Sequence, residues 1–242
     1  MNKKTIVFLL SFLLFSCSKN QVIEKNIQQT NISNSGILLE KSISSNTGNI
    51  IKENKLNNDV SITKYINNKI HFTKINYIPS DLVSIKSEFI IDAKGNQILR
   101  QESNNHLQKL AKDFFKEFKV KLKIVSAYRS YNYQLGIKQR GCGDLFCAKA
   151  GYSEHQSGLA FDMFETTTKE DFLSKPDLKK YFEWFSQNAY KYGFNNSYKN
   201  GEKIDGYAIE PWHWRYLGID FAKELWEKNM TYGEYFNKFG ER

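Results

Sequence analysis

Gly151-Tyr-Ser-Glu-His-Gln-Ser-Gly-Leu-Ala-Phe-Asp162 is the stretch from which the rest of the chain can be read. From Gly158 onward the run Gly-Leu-Ala-Phe-Asp-Met alternates as a β-strand does, its side chains pointing to opposite faces in turn. Leu159, Phe161 and Met163 then face a core, while Gly158, Ala160 and Asp162 face the other way. A strand face of two tiny residues and one carboxylate leaves clearance for something that must come close. Ser153 and His155, just upstream, add a hydroxyl and an imidazole.

The flanking sequence supplies the scaffold. Asn104 to Phe118 predicts an amphipathic helix, with Leu107, Leu110, Ala111, Phe114 and Phe118 on one stripe. Val120 to Val125 alternates as a strand and runs into Ser126-Ala-Tyr-Arg-Ser-Tyr131, with a short helix from Tyr131 to Lys138. Pro176 to Tyr192 is a further helix, Pro176 suiting its first turn and Gly193 its C-terminal cap. Tyr207-Ala-Ile-Glu210 reads as a strand, Asp220 to Lys228 as a helix, and Thr231-x-x-Glu234 as the capping box of a last one. Helices mixed with short strands and no βαβ repeat indicate an α+β fold. The expected architecture is a single compact domain with a small central antiparallel sheet flanked by helices.

That domain is expected over 72–242, where aromatic residues are frequent. Residues 1–16 read as a signal peptide: Lys3 and Lys4 precede a short apolar run, Ile6 to Phe15, that is too brief for a permanent membrane span. Leu14-Phe15-Ser16-Cys17 resembles a bacterial lipobox, which implies acylation of Cys17; the alternative is an ordinary secretory signal with a chance cysteine. Either way the mature protein works outside the cytoplasm. Residues 17–71 are rich in Asn, Ser, Lys and Ile, with no aromatic before Tyr65, and read as a flexible tether. The formal charge of +9 is spread along the chain, and no nucleic-acid motif accompanies it. A monomer held at the cell envelope, mildly attracted to anionic polymers, is the expectation.

The chain has four histidines, and two lie in motifs that complement each other. His155 and Asp162 belong to the opening stretch, and His213 to Glu210-Pro-Trp-His-Trp-Arg-Tyr216. Two imidazoles and one carboxylate suit a single Zn²⁺ in a cleft with a coordination position left open, as in catalytic rather than structural zinc sites. Glu210, three residues before His213, is then the natural general base. His71 and His106 stand outside any such pattern and read as structural or exposed. Trp212 and Trp214 read as packing around the ligand between them.

Ser126-Ala-Tyr-Arg-Ser-Tyr-x-x-Gln134, Ser153-Glu-His-Gln-Ser-Gly-Leu-Ala-x-Asp162 and Glu210-Pro-Trp-His-Trp-Arg-Tyr216 together resemble the three signature blocks of the VanY-type D-alanyl-D-alanine carboxypeptidases, in the same order. The resemblance implies His155, Asp162 and His213 as zinc ligands, Glu210 as base, and Arg129 as the group that polarises the scissile carbonyl. It implies Ser153 and Gln134 in the substrate pocket. A guanidinium there stabilises charge that develops only in the transition state. The implied activity is removal of the C-terminal D-alanine from peptidoglycan stem peptides. Two rivals stand beside it: L,D-carboxypeptidase action on tetrapeptide stems, and a non-catalytic wall-binding lipoprotein on the same fold.

Two features depart from the family pattern. Cys142 and Cys147 frame the loop Cys-Gly-Asp-Leu-Phe-Cys; with Cys17 assigned to lipid, a disulfide is expected if their Cα atoms approach closely, free thiols being the alternative. Gly193-Phe-Asn-Asn-Ser-Tyr198 replaces an Arg-Tyr-Pro-like run, so no substrate contact is carried over to this segment.

Overall fold

Five of seven short strands among the described residues form the central sheet on which everything else is hung. The computed structural model describes residues 58–166 and 168–242; the predicted signal peptide, Cys17 and most of the predicted tether lie outside them. In chain order the strands are β1 (Leu82–Ser84), β2 (Ile90–Asp92), β3 (Ile98–Arg100), β4 (Leu122–Ser126), β5 (Ala160–Met163), β6 (Phe194–Asn196) and β7 (His213–Tyr216). β1 and β3 pair as a separate antiparallel ribbon, and the central sheet runs β2-β4-β5-β7-β6. All its pairs are antiparallel except β2 with β4. That edge departs from the expected all-antiparallel sheet because the connection from β2 to β4 passes through helix α1 (Gln101–Phe118), long enough to return the chain in the same direction.

The period-2 alternation divides the sheet into a greasy face and a polar one. Ile124, Phe161, Met163, Trp214 and Tyr216 join one buried core with Leu107, Leu110, Ala111 and Phe114 of α1 and with Tyr181 and Phe185 of α4 (Pro176–Asn188). The predicted helical stripe of α1 is thus the one that packs. Asp162, His213 and Arg215 alternate with these residues along β5 and β7 and take the opposite face. The smaller helices are α2 (Tyr131–Gln139), α3 (Lys169–Ser174), α5 (Glu202–Asp205), α6 (Ile219–Glu227) and α7 (Tyr232–Phe239). At the start of α7 both halves of the predicted Thr231/Glu234 capping box are formed.

Two expectations are corrected. Tyr207–Glu210 is not a strand: its backbone bonds in two directions, Ala208 N–H to Leu145 O and Glu210 N–H to Tyr198 O, rather than to one partner. The strands there are β7, which lies within the histidine motif itself, and the Asn-rich β6. The folded part also begins before residue 72, because Tyr65 and Ile66 are buried and Tyr65 stacks on Phe236 of α7 at 4.1 Å. Tyr65 and Ile66, with backbone carbonyls of Ile62 to Lys64 bonded by Arg215 and Tyr232, anchor a segment whose composition reads as tether. No helix among the described residues is long and apolar enough to cross a membrane.

Candidate metal centre

Strand register brings the two halves of the site together. Asp162 on β5 lies directly opposite His213 on β7, and its other neighbour is Ser126 on β4, where the pairing slips by a bulge. Bulges commonly re-aim side chains beside active sites. His155 arrives differently, on a single 3-10 turn, Glu154–Ser157, that ends at Gly158 with φ +69° and passes straight into β5. The left-handed residue makes the corner, and a side chain there would meet Leu82 Cδ2 at 2.8 Å and Arg100 Cγ at 3.0 Å. Gly158 is therefore small for the turn and for the β1–β3 ribbon, not as clearance beside a metal.

Among the described residues, His155, Asp162 and His213 form the group able to hold a metal ion, with one ligand atom from each inside 4.8 Å of the others. His155 Nδ1 donates to Ala127 O at 2.7 Å, which leaves Nε2 as the lone-pair nitrogen. That Nε2 is buried, has no hydrogen bond, and lies 3.2 Å from Asp162 Oδ2. Two Lewis-basic atoms pressed together in a buried place fit a cation. On the other side His213 Nδ1 is 3.0 Å from Asp162 Oδ1. The nitrogen and oxygen donors, with no cysteine among them, suit a catalytic Zn²⁺.

A second buried layer was missed in the sequence. Glu154 Oε2 sits 2.9 Å from His213 Nε2, and Glu154 Oε1 receives Arg215 Nη1 at 3.2 Å. Arg215, fully buried, also donates to the carbonyls of Ile62 and Lys64. The segment upstream of residue 72 is therefore wired to a metal ligand. Burial disfavours the Glu154 charge, but Arg215 and His213 outweigh it and hold the carboxyl below its usual range. The sequence signal was faint: a carboxylate next to His155 and an arginine two residues past His213, each ordinary alone.

Electrostatics separates the imidazoles. Burial, with Arg129 nearby, pushes His155 down to about 4. Burial also disfavours a charged His213, yet its hydrogen bonds to Asp162 and Glu154 prevail and raise it to about 9. Glu210 is pushed up to about 8, chiefly by burial, against the pull of His213. Its Oε2 is 3.9 Å from His213 Nδ1.

One pocket gathers Arg129, Ser153, His155, Glu210 and His213, with Tyr198 and Tyr207 in its wall. Arg129 follows β4, and its Nε is buried with no hydrogen-bond partner among the described residues, a donor free for a bound oxygen. Tyr198 stacks on His213 at 4.5 Å, so the divergent 193–198 segment does reach the site. Gln134 does not line the pocket: fully buried, it donates to Ala148 O at 2.7 Å and braces the segment that does. Cys142 and Cys147 are joined by a disulfide, with Cα atoms 5.8 Å apart. Trp214 packs on Phe185 on the core side of β7, away from the ligands. His71 and His106 lie outside the group. A larger apolar cavity walled by Phe185, Trp214 and Trp226 has no carboxylate or histidine among the described residues of its lining and offers none of this chemistry.

Known proteins share this arrangement of chain. Residues 96–219 match the VanY family, described as D-alanyl-D-alanine carboxypeptidase. The chain is 38% identical over 184 residues to the YodJ protein of Bacillus subtilis (strain 168), covering 71% of this chain and 66% of that one. It is 31% identical over 170 residues to a D-alanyl-D-alanine carboxypeptidase of Enterococcus faecium, covering 68% and 54%. The chain thus spans less than two thirds of the length of these curated relatives. Among solved structures, the LdcB LD-carboxypeptidase superposes with a TM-score of 0.62 at 35% identity, over 75% of this chain and 88% of the other.

Proposed function

The chain belongs to the VanY family of D-alanyl-D-alanine carboxypeptidases, and from that premise we propose that it is a zinc-dependent carboxypeptidase removing the terminal D-alanine from peptidoglycan stem peptides. The observation that carries the proposal is the convergence of His155, His213, Glu210 and Arg129 on one pocket, with Asp162 completing the donor set beside the two histidines. A dication held by His155 Nε2, Asp162 and His213 Nδ1 would polarise the scissile carbonyl, acidify water, and draw the Glu210 carboxyl back down from its raised value. Glu210 then takes the proton of the attacking water and hands it to the departing amine. Arg129 directs its free donor at the carbonyl oxygen as negative charge builds there. Glu154 holds the distal nitrogen of His213, fixing ring orientation and basicity.

Purified pentapeptide and tetrapeptide stems distinguish the substrate readings. Loss of one alanine mass from the pentapeptide is expected; cleavage of the tetrapeptide alone would replace this reading with L,D-carboxypeptidase action. The likeness to the LdcB LD-carboxypeptidase favours that second reading. A wall-binding protein without catalysis is opposed by the presence of base and arginine beside the complete donor set.

Location belongs to the same proposal. Lys3, Lys4, the apolar run Ile6 to Phe15 and the lipobox-like Leu14–Cys17 support an extracytoplasmic protein anchored by lipid on Cys17 in the envelope. Membrane fractionation of wild type and Cys17→Ala tests the anchor: the variant should leave the membrane fraction.

A further inference from the structure

The loop closed by the Cys142–Cys147 disulfide is pinned at three points. Lys138 Nζ donates to Cys142 O at 2.6 Å and pairs with Asp144 at 2.7 Å. Ala208 N–H bonds Leu145 O at 2.9 Å, and Gln134 bonds Ala148 O just beyond the bridge. A short exposed loop so fastened holds a fixed shape. Phe146, next to the bridging Cys147, lines the catalytic pocket together with Arg129, Glu210 and His213, yet is 58% exposed. Ser153, His155, Tyr198, Tyr207 and His213 in the same lining are all buried. Phe146 therefore marks the mouth.

A carboxypeptidase places a single residue beyond the scissile bond, in the closed end of its pocket. The rest of the peptide leaves by the mouth. We propose that Phe146 is a substrate-contacting residue that packs on the stem peptide on the amino side of the scissile bond, and that the disulfide holds it there in advance of binding. The inference rests on the carboxypeptidase reading. An aromatic ring at the mouth gains contact with the aliphatic parts of the upstream residues, and a pre-ordered loop avoids the entropy of ordering it on binding. The contact is made equally in ground and transition states, so it acts on KM rather than kcat.

The test compares a full stem pentapeptide with an acetylated dipeptide of its last two residues, using zinc-loaded protein. Phe146→Ala should raise KM for the pentapeptide roughly five- to tenfold, with KM for the dipeptide changing less than about twofold. Phe146→Tyr should restore the wild-type ratio. The double variant Cys142→Ser with Cys147→Ser should move the ratio the same way, and adding Phe146→Ala to it should add little. Equal losses on both substrates, or none on either, would overturn the proposal while leaving the activity standing. Failure of the unmodified protein to cleave either substrate would sink the carboxypeptidase reading itself, and this inference with it.

Discussion

The buried Glu154 carboxylate lies 2.9 Å from Nε2 of His213, on the opposite edge of the ring from Asp162. One imidazole is thus held between a metal-side carboxylate and a support-side carboxylate, and the support is itself tied to Arg215. Metal-bound histidines whose outer nitrogen is fixed in this way lose about 10- to 100-fold in metal affinity when the outer partner is removed. Glu154→Gln should show that loss in a chelator competition assay. Glu154→Ala should do more, because it strands the buried Arg215 charge: about 3–5 kcal/mol of stability, read by denaturant unfolding. Unchanged zinc affinity in both variants would remove Glu154 from the site.

Proton release on metal loading follows from the same geometry. With both ring nitrogens facing carboxylates, His213 is raised to about 9 and is protonated at neutral pH in the metal-free protein, whereas His155, near 4, is neutral. Metal must displace the Nδ1 proton of His213. Zinc affinity should therefore rise about a hundredfold per pH unit below pH 8, where Glu210 gives up its proton as well, then about tenfold per unit up to pH 9, and flatten beyond. Calorimetry in buffers of different ionisation enthalpy should find about two protons released near pH 7 from wild type and about one from Glu210→Gln, the one that remains being that of His213. The sign for stability agrees: a raised histidine favours the metal-free fold at low pH, and that support is lost as pH rises through about 9.

Gly158→Ala separates fold from chemistry. The position combines φ +69° with a blocked Cβ site against Leu82 and Arg100. The substitution should cost about 1–3 kcal/mol in denaturant unfolding while leaving zinc stoichiometry intact. A neutral effect on stability with weakened zinc binding would return Gly158 to the role of metal clearance.

Arg129→Ala should retain metal and substrate affinity but lower kcat by about 10²–10³-fold, the usual effect of losing one donor to a developing oxyanion. An unchanged kcat in steady-state assays would show that its free Nε serves some other purpose.

The residues that proved legible in the sequence were those whose type is itself rare. Two of four histidines, a carboxylate on a small-residue strand face, and a glutamate three before His213 could be assembled without coordinates because few other residues do that chemistry. α1 and α4 were legible for a different reason, since over 18 and 13 residues their apolar periodicity repeats through several helical turns. What stayed hidden depends on partners distant in sequence. Glu154 and Arg215 are ordinary charges until the fold buries them together, and Gln134 reads as a pocket residue until its amide is seen on Ala148 O. β6 is three residues of Phe-Asn-Asn, too short and polar for any alternation to register. Tyr65 belongs to the core only because α7 comes back to meet it.

Stem-peptide turnover by the zinc-loaded Glu210→Gln protein bears most directly on the whole account. The amide is nearly isosteric and leaves His155, Asp162 and His213 in place, so about one zinc ion per chain should remain bound. Turnover should fall by about a thousandfold, because among the described residues no other carboxylate lines the pocket to take the proton of the attacking water. Turnover at the wild-type rate, with zinc still bound, would contradict the assignment of Glu210 as base.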